Sequence, residues 1–377
     1  MKKILFNGLL LNRQPSGVQY SIHHLIKSLS YLNNEIQFEL LVSGQYDGDI
    51  QKSPNLKITN LGSKVGSRMS RIYFENVLLP AYFRAGEFDL YHAPGYTLPL
   101  YSRMPSLVTI HDLIAIDHPA LCQNETALYF NLFLPPSIRK AKKIITVSHT
   151  VKSEILNHFP ETDPEKIEVV YHGIDRRFKP VRDDLIIQRV KNKYQLPEKY
   201  LLFVGNIEPK KNLNRIIEAL ILFNREHRER YKLVIAGKRG WKYSSVFELI
   251  KKHKLEAEIL LLGYVDEKDL PAIYSLAAIF VFPSLCEGFG IPVIEAMACG
   301  CPVVVSDRGA LPEISGGFCP QVDPLSITGI AAAIDSIAGN EDYRLQLIEK
   351  GLRWSGQFLW DETAKQTMEI YENALKD

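Results

Sequence analysis

The sequence predicts an α/β protein made of two facing, doubly wound parallel-sheet domains. Three observations carry this expectation. Short apolar runs rich in branched and aromatic residues alternate with segments of helical period along nearly the whole chain, the pattern of parallel strands joined by crossover helices. At 377 residues the chain is long for one hydrophobic core, so two domains are expected. A strand, a glycine-bearing loop and a helix open the chain, and the same sequence of elements restarts near Tyr200.

The first strand ends near Leu11. Its apolar run is broken by Asn7 and Gly8 and no small-residue cleavage site follows, which argues against a signal peptide. Ser16 and Gly17 open the helix that runs through Ser30, and Phe38–Val42 is the next strand. Asp47 and Asp49 come next. Paired aspartates can hold a divalent metal, but in a glycine-containing polar loop they read better as turn formers, so no metal site is expected. From residue 64 to 84, Lys64, Arg68, Arg71 and Arg84 interleave with aromatic and aliphatic residues. Such a segment either packs one face on its domain or lies on an anionic membrane surface.

Phe88–Pro94 and Ser106–Leu113 read as strands ending in polar residues. Ligands of open parallel sheets bind beyond the carboxyl ends of the strands, which makes His111, with Asp112 beside it, a candidate site residue. Lys143–Ser148 is a further strand, with Ser148 and Thr150 as candidate caps of the following helix. Glu168–Asp175 closes the first half, and the charged, proline-containing stretch 176–198 reads as a linker. The expected domains are therefore 1–178 and 179–359, and the amphipathic tail from residue 360 reads as a terminal helix that docks rather than a free tail.

In the second half the strand Tyr200–Gly205 leads through Asn206 to Lys210, Lys211 and a helix from Leu213. Cations at a helix N-terminus oppose the helix dipole unless an anion lies between them, and a diphosphate would supply one. Lys232–Gly237 and Ile259–Gly263 are strands, and Ala277–Phe282 is another, leading into Pro283–Pro302. In that last stretch Gly288 and Gly290 permit a tight turn, Pro292 suits the first position of a helix, Glu287 stands in the loop facing that helix N-terminus and Glu295 in its first turn. A helix N-terminus offers unpaired amides to an anionic ligand, although acidic residues there also serve ordinary helix stabilisation.

Global properties narrow the function classes. A net charge of +2 gives no footprint for nucleic acid, and 46% hydrophobic with 23% charged residues is ordinary for a water-soluble fold. Five cysteines, an odd number without small-domain spacing, fit a reducing compartment, and Cys299 and Cys301 read as packing residues. No apolar run of about 18 residues predicts a membrane span.

Glu287 and Glu295 with seven residues between them, Gly-Phe-Gly-Ile-Pro inside and Glu-Ala-Met-Ala-Cys-Gly from the second glutamate, resemble the signature of family 4 of the retaining glycosyltransferases. His111-Asp112-Leu113, Val204–Leu213 and Gly263–Val265 occur in the family's order, so the resemblance covers nearly the whole chain. It implies a GT-B fold, with the nucleotide-sugar donor mostly on the C-terminal domain, the acceptor on the N-terminal one, the last helix (360–377) crossing back to join the first domain, and no cofactor or metal. Carried over by position, Lys211 resembles the lysine on the donor diphosphate, Lys210 stands where Arg or Lys is usual, and Asn206 stands where many relatives have Arg. Glu287 resembles the residue on the hydroxyls of the transferred sugar, beside Phe289, Gly290 and Ile291, and Glu295 the one on the ribose. His111 resembles a histidine near the donor sugar and Gly17 a loop glycine near the phosphates. The expected function is transfer of a hexose, with GDP-mannose as the favoured donor, to a glycan or lipid-linked acceptor in polysaccharide synthesis. The location expected is cytoplasmic, with possible membrane contact through 64–84. A UDP-glucose or UDP-GlcNAc donor is the alternative, and a non-catalytic nucleotide-sugar binder the alternative from another class.

Overall fold

The computed structural model describes the chain apart from residues 12–16, 33–34, 45, 47–49, 51–52, 227–229 and 377 and the side chain of residue 226. Asp47 and Asp49 fall outside the described residues. The chain divides into two compact units, Met1–Gly173 with Leu359–Asp377, and Ile174–Phe358.

The first unit holds seven strands, β1 (Lys2–Asn7), β2 (Ile36–Val42), β3 (Leu56–Asn60), β4 (Leu90–Ala93), β5 (Ser106–Ile110), β6 (Lys143–Thr146) and β7 (Ile167–Val169). They pair in the order β3-β2-β1-β4-β5-β6-β7, and every pairing is parallel. Strand order reverses between β1 and β4. Ile4 lies opposite Phe38 on one side and Leu90 on the other, at the centre of the core.

The second unit repeats the plan with β8 (Tyr200–Val204), β9 (Lys232–Ala236), β10 (Ile259–Gly263), β11 (Ile279–Phe282), β12 (Val303–Ser306) and β13 (Gln321–Val322). Its order is β10-β9-β8-β11-β12-β13, again parallel, with the reversal between β8 and β11. Helices cover both faces of such a sheet, so its central strands read as unbroken apolar runs. Tyr200–Phe203 and Phe280–Phe282 are accordingly buried throughout.

Three details differ from the sequence reading. Within the stretch expected to be a linker, Asp184–Tyr194 is a helix whose first amides, those of Leu185 and Ile186, donate to the Asp183 carboxylate at 2.9 and 3.3 Å. Of the two candidate caps after β6, Ser148 accepts the Val151 amide at 3.1 Å, while Thr150 is already inside the helix His149–His158. The basic and aromatic segment is a broken helix, α over Arg68–Tyr73, π over Phe74–Leu78 and α over Leu79–Gly86. It buries Phe74, Leu79 and Phe83 and exposes Met69, Tyr73, Val77 and Leu78.

The terminal helix Trp360–Lys376 belongs to the first unit. Its buried stripe of Trp360, Ala364, Met368 and Tyr371 joins the core beside Ile22 and Ile26 of the helix Val18–Tyr31. Tyr371 fixes it to the sheet, because its hydroxyl lies 2.6 Å from His92 Nδ1 while Thr109 Oγ1 lies 2.8 Å from Nε2. Burial pushes the His92 pKa down to about 3, so the ring is neutral and needs one donor and one acceptor. Removing the phenol leaves a fully buried nitrogen unpaired. Tyr371→Phe is therefore expected to cost about 1–3 kcal/mol, read as a lower urea midpoint of the first unit with the second unit's transition unmoved.

Candidate functional site

In a doubly wound sheet the loops leaving the two strands that flank the reversal diverge, and the crevice they open is where ligands bind. In the second unit those are the loops after β8 and β11. The first closes with a 3₁₀ turn, Pro209–Lys211, and Asn212 in the left-handed region at φ 59°. Asn212 Nδ2 donates to the carbonyls of Pro283 at 3.0 Å and Pro324 at 2.7 Å, and the Leu285 amide donates to the Lys210 carbonyl at 2.8 Å. These bonds lace the two loops together and bring Lys211 Nζ to 2.5 Å from Glu287 Oε1. The ammonium also lies over the Phe282 ring, 4.7 Å from its centre.

Both partners are withdrawn from solvent, with side chains 14% and 9% exposed. Burial opposes ionisation of Glu287, but Lys211 and Lys210 outweigh it and hold the carboxyl below its ordinary range. Burial pushes the Lys211 ammonium down against the pull of Glu287. The Glu287 backbone is gripped as well. Its carbonyl accepts the Ala310 amide at 2.9 Å, and a Cβ on Gly309, itself at φ 60°, would come within 2.6 Å of that carbonyl oxygen.

Gly290 adopts φ 104° just before the helix Ile291–Ala298, a conformation closed to most side chains. Ile291, not Pro292, is the first helical residue, and Phe289 is buried edge-on to Phe358. Glu295 is thus the fifth residue of the helix. It does not lie in the first turn, where the motif reading placed it, because the helix begins at Ile291, one residue earlier than Pro292. It is buried, and its Oε2 accepts the Tyr274 hydroxyl at 3.0 Å. Burial raises its pKa to about 8, the Tyr274 bond only partly opposing. Asn206 and Lys210 are half-buried, and Asn206 Nδ2 donates to Glu208 Oε1 at 3.4 Å.

The remaining candidates lie in the first unit. His111 follows β5 and is buried, with both ring nitrogens engaged: Nε2 lies 2.7 Å from the Pro94 carbonyl and Nδ1 3.2 Å from His172 Nε2. A carbonyl only accepts, so Nε2 carries the proton and Nδ1 accepts from His172. Burial pushes both histidines below their ordinary pKa, which keeps the pair neutral. Tyr96, after β4, packs on His111 and donates to Asp112 Oδ2 at 2.8 Å from a strained φ of 73°. Gly17 stands at φ 55° immediately before the helix Val18–Tyr31, and the loop preceding it is outside the described residues. Cys299 and Cys301 are buried free thiols. Among the described residues no three His, Cys, Asp or Glu side chains converge as metal ligands.

Lys211 and Glu287 are thus in contact and Lys210 is beside them, whereas Glu295 lies a turn deeper. The sequence reading passed over His172 and Tyr274. Tyr274 carries no local signal, since it lies on a different helix from Glu295. His172 ends an apolar run as His111 does, and that strand-end position was the available clue.

Two family models match the chain, glycosyltransferase family 4 over residues 15–178 and glycosyl transferases group 1 over 186–354. The chain is 30% identical to O-antigen chain mannosyltransferase B of Escherichia coli over 98% of its own length and 99% of that protein's. It is 29% identical to O-antigen chain mannosyltransferase RfbU of Salmonella typhimurium, with 89% and 90% covered. Among solved structures it resembles sucrose-phosphate synthase from Thermosynechococcus elongatus, with a TM-score of 0.80, 20% identity and 99% of each chain covered. The architecture is that of the GT-B fold.

The elevated Glu295 pKa has a thermodynamic consequence. Between its unfolded value of 4.5 and its folded value of about 8 the native state holds a proton that the unfolded chain releases, so this group makes stability fall as pH rises through that window. Glu295→Gln removes the titration. Melting curves of both proteins from pH 5 to 8.5 should show the difference moving steadily in the variant's favour, and a pH-independent difference would contradict the raised pKa.

Proposed function

The chain belongs to glycosyltransferase family 4, and from that premise we propose that it is a retaining, metal-independent mannosyltransferase of surface-polysaccharide synthesis. It moves mannose from GDP-mannose to a glycan or lipid-linked acceptor. The buried Lys211–Glu287 pair at the β8–β11 reversal is the observation that carries the reading. An ion pair in a buried position costs desolvation that its own attraction barely returns, and a ligand supplying both an anion and hydroxyl groups gives each partner more to bind. A sugar nucleotide is such a ligand. The choice of mannose is supported by two near full-length relatives named as mannosyltransferases.

In the reaction the bond from the sugar C1 to the β-phosphate oxygen breaks and the acceptor oxygen bonds to C1 on the same face. The acceptor proton passes to the departing phosphate oxygen. Lys211 and Lys210, with the amides of Phe289, Gly290 and Ile291, stabilise the charge that develops on the diphosphate. With no Arg at position 206, the two lysines carry that load. Glu287 accepts hydrogen bonds from the hexose hydroxyls and Glu295 from the ribose. His111 and Gly17 are further donor contacts. Both ring nitrogens of His111 are already engaged, so proton transfer is assigned to the leaving phosphate and not to this ring.

The described residues contain no helix long and apolar enough to cross a membrane. We place the enzyme in the cytoplasm, with exposed Met69, Tyr73 and Val77, and the exposed Lys64 in the same segment, resting on anionic lipid.

Calorimetric titration in EDTA is expected to show GDP binding and no comparable UDP binding. Preference for UDP would overturn the mannose donor, and binding only with manganese would overturn metal independence. Lys211→Met should lower kcat on GDP-mannose by about 10²–10³-fold. Because it leaves Glu287 buried without its cation, it should also cost about 3–5 kcal/mol of stability. In flotation assays with phosphatidylglycerol vesicles, the wild type should float at low salt and the double variant Met69→Asp, Val77→Asp should not.

A further inference from the structure

The π turn in the first unit has a definite cause. Phe74 and Leu79 are both buried, yet five residues apart they would point about 140° away from each other on a regular α-helix. One widened turn, in which the Leu79 amide donates to the Phe74 carbonyl, brings them to the same face. Pro80 contributes, because it has no amide for the Asn76 carbonyl and its ring crowds that carbonyl. Such turns recur at functional sites, and this one carries Glu75 inward, to the carboxyl end of β1.

There Asn7, the last residue of β1, donates from Nδ2 to Glu75 Oε1 at 2.9 Å and to the Tyr91 hydroxyl at 2.8 Å. Asn7 is itself held by the Leu9 amide, which donates to its Oδ1 at 3.0 Å. Glu75 is half-buried, and its second oxygen takes no hydrogen bond from the described residues. Burial raises its pKa, the Arg71 charge opposing. Close by, the hydroxyls of Tyr129 and Thr97 lie 2.7 Å apart. Burial and then the Glu75 charge lift the Tyr129 phenol to about 12. In a hydroxyl pair one member donates and the other keeps its proton for a third partner, so this pair offers a donor.

We propose that Glu75, oriented by Asn7, together with the Tyr129–Thr97 hydroxyl pair, binds the acceptor sugar. The ligand class follows from charge and donor count. Glu75 and Arg71 balance, and Arg68 is committed to Thr126, the Glu125 carbonyl and the Tyr129 ring, so no surplus cation calls for a phosphate. A free acceptor oxygen beside a free hydroxyl donor matches the adjacent hydroxyls of a neutral pyranoside. The site lies at the β1–β4 reversal, the counterpart in this unit of the position of Lys211 and Glu287 in the other. The choice of a mannoside rests on the mannosyl-transfer reading given above.

The test is saturation-transfer NMR of methyl α-D-mannopyranoside on the full chain, wild type and Glu75→Gln, with GDP affinity and melting temperature measured on the same samples. The wild type should bind the mannoside. Glu75→Gln should bind it about 10–100-fold more weakly, the worth of a charged hydrogen bond, with GDP affinity and melting temperature unchanged. Equal binding by both proteins, or none by the wild type, would overturn the proposal. If Glu75→Gln does not fold, the double variant Tyr129→Phe, Thr97→Val takes its place with the same two outcomes. A wild type that binds the mannoside but prefers UDP to GDP would overturn the donor assignment and leave this site standing.

Discussion

A lysine and a glutamate from two strand ends that are not consecutive in the chain are held together out of water, and much of the second unit is arranged to keep them so. Neither charge is tolerable there alone. Their meeting requires the loops after β8 and β11 to run side by side, and only the reversal of strand order makes these two strands neighbours. The loops are then locked by the Asn212 side chain, by the Leu285 amide and by the absence of a side chain at Gly309. Each of these is a backbone or amide device that leaves the charged atoms for a ligand.

The two units use one topology for different electrostatic ends. In the second, two lysines and two buried glutamates surround the turn into a helix. In the first, the strand ends carry neutral histidines, tyrosines and the half-buried carboxylates of Asp112 and, alongside, Glu75. The strained Tyr96 and the widened helical turn at Glu75 both fall beside the carboxyl ends of its central strands. Departures from relaxed backbone are kept where other contacts over-determine them. Both of these orient polar side chains that the core does not need.

Much of this was legible in the sequence because parallel strands buried on both faces leave unbroken apolar runs, and because glycine and proline mark the turns between them. Tyr200–Phe203 and Phe280–Phe282 could be read by eye. The double-glutamate stretch could be read as a site because Gly288 and Gly290 permit a tight turn there and Pro292 marks the start of a helix. The place of Glu295 could not, since one residue of uncertainty in the helix start moves a side chain from an exposed first turn to a buried second one. His172 and Tyr274 stayed hidden for another reason. Each matters through a partner, His111 at a distance of 61 residues and Glu295 at 21, and such contacts leave no periodic trace. The helix over 68–86 was recognisable by its amphipathic composition, but its π turn shows only as a five-residue gap between Phe74 and Leu79.

The chain leaves the first unit after Gly173 and re-enters it at Leu359, and the second unit's two ends are joined by a hydrogen bond from the Ile174 amide to the Phe358 carbonyl at 3.0 Å. On the other side of the same junction, Gly173 has no room for even a methyl group against the Trp360 amide. The second unit is therefore a closed loop of chain inserted at a single point of the first. A segment whose ends already touch can be exchanged for a homologous one without a linker to redesign. Recombination at these two positions would exchange the whole second unit, with its Lys211–Glu287 pair, in one piece while the first unit kept its own sheet and terminal helix.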